Sequence, residues 1–204
     1  MAIKENREYR MITLPDMQFR AVEDSEYIVE GYATTFDDPY VLWEHDGVKY
    51  MEEIDRNALT GANMDDVIFL YDHTGMVFAR MSNGTLELRP NEKGLYVRAD
   101  LSKTEASRRM YESIKAGLVT QMSWAFSIEE DAYNSETRTR RILKVKRVYD
   151  VSAVSIPANP NTDISARSYW DGVILEERRR ERERAVKRLK LKLKLQQKGP
   201  INGN

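Results

Sequence analysis

The chain contains no cysteine. Thiol nucleophiles, disulfides and zinc–thiolate centres are therefore excluded, and nothing points to a secreted domain stapled by disulfides. It has only two histidines, His45 and His73, so chemistry that needs an imidazole base must use one of them. No window approaches the roughly 18 apolar residues of a membrane helix, and the opening MAIKENREYR lacks the apolar run of a signal peptide. These absences lead to the expectation of a soluble intracellular protein. The glycines are scattered at turn signals and form no phosphate-cradling loop. Asp65, Asp66 and Asp72-His73 match no familiar ligand spacing, so neither a metal nor another cofactor is expected.

Net charge is also small, at -1, but it conceals an asymmetry. Residues 176–198 hold eleven Lys/Arg against four Asp/Glu, a local charge of +7, which leaves -8 on the remainder. An acidic body thus ends in a basic tail. A tail of this kind suits nucleic acid or an acidic partner protein, but a solvated, self-paired helix is the better explanation for part of it. The 204 residues, 41% hydrophobic, suffice for one ordinary core plus an appendage. The expected division is an N-terminal extension (1–24), a folded domain (25–170) and a charged, helical tail (171–204) that frays near Gly199-Pro200.

Within the body, period-two patterns dominate. SEYIVEGYATTF (25–36) predicts a strand. VLWEH and VKYMEEI flank Asp46-Gly47, a two-residue hairpin signal because this pair tolerates positive φ. DRNALTG (55–61) predicts one or two helical turns. DVIFLYDH (66–73) predicts a buried strand ending at Asp72-His73, VFARMS-NG-TLELRP (77–90) a second hairpin, and LYVRADL (95–101) another strand. A helix is expected from Thr104 to a stop at Gly117, with Ala106, Met110 and Ile114 on one stripe. LVTQMSWAFSI and ILKVKRVYDVSAVSIP (142–157) complete seven or eight strands. The expected class is α+β: a mainly antiparallel curled sheet or β-barrel with added helices.

In QMSWAFSI (121–128), Met122, Trp124, Phe126 and Ile128 alternate with Gln121, Ser123, Ala125 and Ser127. The large set predicts the core face. Ser123 then stands on the other, exposed face among small neighbours, either as a solvated strand serine or as a nucleophile. If the last two strands pair around residues 134–136, Ser123 faces Val148 and Asp150 is its diagonal neighbour, about 7–8 Å away. That gap admits an imidazole, and serine, histidine and carboxylate together suit acyl transfer. A one-residue slip would carry Asp150 to the wrong face. A structural salt bridge is the competing role for Asp150, and a purely structural strand-end residue the competing role for His73. His45, beside a turn, reads as an exposed polar residue.

EGYATTFDD, EEIDRNALTG, IFLYDHTGMVFARMSNGTLELRPNEKGLYVRADL, IKAGLVTQMSWAFSI and VYDVSAVSIPANPNTDISAR, in that order and spacing, resemble the prohead maturation serine proteases of tailed bacteriophages (the caudovirus prohead proteases) over residues 27 to 167. The resemblance implies a serine endopeptidase. It would act inside the procapsid, within the bacterial host cytoplasm, on scaffold and the major capsid protein and on itself. It also implies a fold like that of the herpesvirus assemblins, commonly homodimeric, with neither membrane nor nucleic acid as an expected partner. His73 in YDHTG matches the family's base and Ser123 in QMSWAF its nucleophile, with Trp124-Ala125 where Phe-Gly is frequent. Asp150-Val151-Ser152 stands where many relatives read Glu-Val-Ser, so Asp150 matches the third catalytic position with a side chain one methylene shorter. An oxyanion hole would be sought among backbone N–H groups near Ser123. The contrasting expectation is a non-enzymatic capsid-assembly module that keeps a protease-like body.

Overall fold

A computed structural model describes residues 7–12, 20–22, 26–154 and 164–197. The chain divides into two compact units, Met1–Ala166 and Arg167–Asn204. The first carries eleven strands among its described residues: β1 (Glu8–Ile12), β2 (Arg20–Ala21), β3 (Ile28–Thr35), β4 (Tyr40–His45), β5 (Val48–Ile54), β6 (Ile68–Tyr71), β7 (Thr74–Arg80), β8 (Leu86–Pro90), β9 (Gly94–Asp100), β10 (Gln121–Asn134) and β11 (Thr139–Val154). Helix α1 (Glu105–Lys115) precedes β10, and α2 (Ile164–Gln197) follows β11.

The strands form two sheets. One runs β1-β10-β11-β5-β4, with β6 against β11 and β7 against β6; the other runs β2-β3-β9-β8. Neither closes, so the barrel alternative is corrected to two open sheets with helices. The core lies where their apolar faces meet. Val29, Val97 and Leu88 from the smaller sheet join Trp124, Phe126 and Val151 from the larger in one buried cluster. The stacked rings of Trp124 and Phe126, 3.9 Å apart, anchor β10 on this side.

Local signals explain several elements. Asp46 and Gly47 adopt φ of 52° and 74° and close the β4–β5 hairpin at His45↔Val48, as an Asp-Gly turn should. Helix α1 opens on Thr104, whose side chain accepts from the Ser107 N–H at 3.0 Å. It closes with Gly117 at φ 72°, where the Gly117 N–H donates to Ile114 O and the Leu118 N–H to Ser113 O, both at 3.0 Å. This is a Schellman stop. The buried stripe is Ser107, Met110, Tyr111 and Ile114, one residue round from the expected one, because the Ser107 Oγ–H donates to Phe78 O at 2.8 Å.

Two expectations fail, and one pairing was not anticipated in a sheet that is mainly antiparallel as expected. Residues 55–61 form turns rather than a helix. The Asn57 N–H donates to the Asp55 side chain at 2.8 Å, and that carboxylate is also held by Arg141 at 2.7 Å, which favours a turn over helix propagation. Asn83-Gly84 does not join a hairpin: Met81–Asn83 make a single 3-10 turn, after which β7 and β8 belong to different sheets. Burial of Leu86 and Leu88 against β9 decides the partner. Finally, β11 is parallel to both neighbours other than β10. Its first part pairs with β5 at Thr139↔Met51 and its last part with β6 at Asp150↔Ile68.

In the second unit, α2 continues to Gln197. Leu189, Leu191 and Leu193 alternate with lysines and are all exposed. A spacing of two places them round a helix rather than along one stripe. Glu176 pairs with Arg179 at 2.8 Å and with Arg180 at 3.0 Å, the neighbours expected at three and four residues. The fraying expected at Gly199-Pro200 falls outside the described residues.

Candidate active site

The site is assembled on three adjacent strands, β10, β11 and β6. Ser123 pairs with Ser152, and Ala125 with Asp150. The register differs from the expected one by four residues: two because the hairpin closes at Asn134↔Thr139, and two from irregularities between Ala125 and Asp131. Four is an even number, so the face is preserved and Asp150 is still a diagonal neighbour of Ser123.

His73 arrives from the far side of β11. The last residues of β6 lie beside it, with Ser152↔Leu70 and Ala153↔Tyr71. The chain then reverses in a two-residue turn between Tyr71 and Thr74, whose centre is Asp72 (φ 48°) and His73 (φ 57°). Both residues occupy the left-handed region, which costs a non-glycine residue about 1–2 kcal/mol. The Asp72 N–H is held by Ala153 O at 3.0 Å. Strain of this kind persists where surrounding structure over-determines it, and it concentrates at working sites.

The turn projects the imidazole back over β11. His73 Nδ1 is 2.5 Å from Asp150 Oδ1, and Nε2 is 2.6 Å from Ser123 Oγ. Asp150 is 4% exposed and accepts a second bond from the Ser152 hydroxyl at 2.9 Å. Ser152 also lies 3.2 Å from His73 Nδ1. With Asp150 ionised, the Nδ1 proton is directed at the carboxylate, leaving the Nε2 lone pair for the serine hydroxyl. Tyr9 of β1 sets its ring edge-on to the imidazole, with centroids 4.7 Å apart.

Ser123, His73 and Asp150 therefore meet, whereas His45 stands apart, 3.3 Å from Asp46 in its hairpin turn. Sequence reasoning assigned no role to Ser152 or Tyr9. Ser152 shares parity with Asp150, which was the available signal; Tyr9 had none. One expectation is reversed. Ser123 is 1% exposed, because β1 pairs along β10 with Met11 opposite Ser123. The Ser123 Oγ–H also points at the Arg10 carbonyl oxygen, 2.9 Å away. Among the described residues, no cluster of acidic and histidine side chains suits a metal ion, and no helix is long and apolar enough to cross a membrane.

A second polar cluster lies on the opposite face of the same strands. Arg10 pairs with Glu52 and Glu8, Arg140 reaches Glu8 at 3.1 Å and Asp131 at 2.9 Å, and the Tyr40 hydroxyl donates to Glu52 at 2.6 Å. Burial works to raise the Glu52 pKa, but Arg10 and Arg140 outweigh it and hold the carboxyl below its ordinary value. Burial likewise works against the Arg10 charge, and Glu52 and Glu8 overcome it. Both charges therefore persist in the interior.

A family described as caudovirus prohead serine protease matches residues 15–171. The chain is 26% identical over 147 residues to the prohead protease of Enterobacteria phage HK97. That alignment covers 72% of this chain and 62% of the relative's length. No solved structure matches the chain.

Proposed function

Because the chain belongs to the caudovirus prohead serine protease family, we propose that it is a serine endopeptidase of phage head maturation, with Ser123 as nucleophile, His73 as base and Asp150 as the carboxylate that orients the base. The observation that carries this reading is the continuous chain from Ser123 Oγ through His73 to Asp150, with links of 2.6 and 2.5 Å. Three separate elements supply it, and chance rarely aligns three such groups.

In the proposed reaction, Ser123 Oγ attacks a peptide carbonyl while His73 Nε2 takes its proton. The amine leaves with that proton, and water then hydrolyses the acyl-enzyme by the same route. Asp150 holds the tautomer and stabilises the imidazolium. The Ser152 hydroxyl, bonded to the same carboxylate oxygen, fixes the carboxylate's rotamer.

The proposed substrates are scaffold and the major capsid protein, with self-cleavage, inside the procapsid in the host cell. A homodimer, an assemblin-type relationship and a catalytic domain over 25–170 form part of the same proposal. The test is co-expression with the neighbouring major capsid protein, read by gel and intact mass. Cleavage with the native chain and none with Ser123→Ala is the expected result; full-length capsid protein in both overturns it. The basic tail is proposed as a packaging or self-cleavage segment outside the catalytic domain. Truncation at Glu176 should leave peptide cleavage intact and reduce the amount of protein recovered in procapsids.

One observation favours the alternative of a non-enzymatic assembly module: Ser123 is almost fully covered. The imidazole and carboxylate aimed at it weigh against that alternative, and the covering strand has its own explanation.

A further inference from the structure

Resting on the protease reading, we propose that β1 occupies the substrate's place. The edge of β10 is where the peptide to be cut pairs, Arg10 stands in for the residue on the acyl side of the scissile bond, and Glu52 selects a basic side chain there.

The first support is the carbonyl. An extended peptide entering a serine protease must bring a backbone carbonyl to the nucleophile. Here the Arg10 carbonyl oxygen lies 2.9 Å from Ser123 Oγ. The serine has one proton, and both this carbonyl and His73 Nε2 at 2.6 Å face it. A bond to the Arg10 carbonyl diverts the proton from the base that must receive it.

The second support is the ladder. β1 lies antiparallel to β10 from Glu8↔Phe126 to Ile12↔Met122, and it is the last strand on that side of the sheet. Without it, β10 is an edge that accepts any extended chain through backbone bonds, with alternate side chains read by pockets. Tyr9, on the Ser123 face, meets His73. Arg10 points to the other face and is 2% exposed.

The third support is the pocket. The Arg10 guanidinium is bound by Glu52, with one link at 2.9 Å. Glu52 is fully buried and belongs to β5, so it stays when β1 leaves. Tyr40 at 2.6 Å and Arg140 at 3.6 Å hold it in place. Glu8 would leave with β1. Glu52, Asp131 and Arg140 then carry a formal charge of -1, complementary to one incoming cation. β1 also precedes residue 15, where the family match begins.

The experiment compares the native chain with Arg10→Glu, which sets a carboxylate against Glu52 and expels the strand. Quenched-fluorescent peptides carrying Arg, Ala or Glu before the scissile bond report kcat/KM. Arg10→Glu should cut the Arg peptide at least about tenfold faster than the native chain does, and favour Arg over Ala by at least about tenfold. A folded Arg10→Glu chain with unchanged or lower turnover overturns the displacement, and faster cutting without preference for Arg overturns the pocket. Should Arg10→Glu melt, hydrogen exchange on full-length Ser123→Ala decides. Saturating Arg peptide should speed exchange at residues 8–12 while β10 stays protected; unchanged protection of β1 refutes the proposal. Labelling of Ser123 by a fluorophosphonate separates the two readings. A chain that labels but shows neither effect overturns this inference alone. One that neither labels nor cleaves, in native and Arg10→Glu forms, overturns the protease reading beneath it.

Discussion

Strands β1 and β10 carry two polar clusters back to back, and the two are built on opposite plans. On the core face, Arg10, Arg140, Glu8 and Glu52 form a network in which every charge has an opposite charge beside it. On the other face, Ser123, His73 and Asp150 form a chain in which one hydroxyl proton is contested by two acceptors. The first arrangement is closed and resists change, since a buried charge stripped of its partner costs several kcal/mol. The second is left one donor short, and it stays so while the Arg10 carbonyl faces the hydroxyl. Fully satisfied polar networks rigidify a fold, and a network short of a donor does not.

The sharpest way to separate the two clusters is to remove the groups proposed to react. Ser123→Ala and His73→Ala should each lower cleavage of a capsid-derived peptide by as much as about a millionfold, with little change in melting temperature. Asp150→Asn comes next. It preserves shape but presents the wrong tautomer, and kcat should fall on the order of ten-thousandfold. Asp150→Glu keeps the charge on a side chain one methylene longer and should restore most of that loss.

Breaking the closed cluster should produce the reverse pattern. Arg140→Met leaves Glu8, Glu52 and Asp131 short of a cation and should destabilise the fold by about 3 kcal/mol, seen in urea titration. The triad distances are untouched, so probe labelling of Ser123 in the folded fraction should persist. The smallest effect is with pH. The folded state holds Glu52 below its ordinary value of 4.5, so it binds fewer protons than the unfolded chain in acid. The Glu52 contribution is whole above the unfolded value and is lost as pH falls through the lowered folded value. Urea midpoints should therefore drop below about pH 4.5, and less steeply in Glu52→Gln.

Much of the local structure was legible from short-range rules. Asp46-Gly47 closes its hairpin and Gly117 ends its helix because positive φ is a property of those residues themselves. The alternation in QMSWAFSI places Met122, Trp124 and Phe126 in the core because successive side chains of a strand point to opposite faces. The same rules misled at Asn83-Gly84, where a correct turn signal was joined to the wrong strand partner, and at residues 55–61, where Arg141 draws Asp55 into a turn. The site followed this division. Ser123, His73 and Asp150 were visible as residues, and the even displacement of the register left them on one face. Their covering strand was not visible, because REYRMI carries no sign of which edge it will join.

By itself, then, the sequence determined the residue chemistry and the element types: one imidazole at a strand end, one serine among small neighbours, one carboxylate at matching parity, and a basic helix after an acidic body. Tertiary structure alone decided that β11 runs parallel to β5 and β6, that a left-handed turn aims His73 across β11, and that β1 lies over the serine. Periodicity and turn preference act between near neighbours in the chain and are written there. Pairing between distant strands is settled by whichever arrangement buries the apolar faces and satisfies every backbone and charged group at once, and no single segment holds that information.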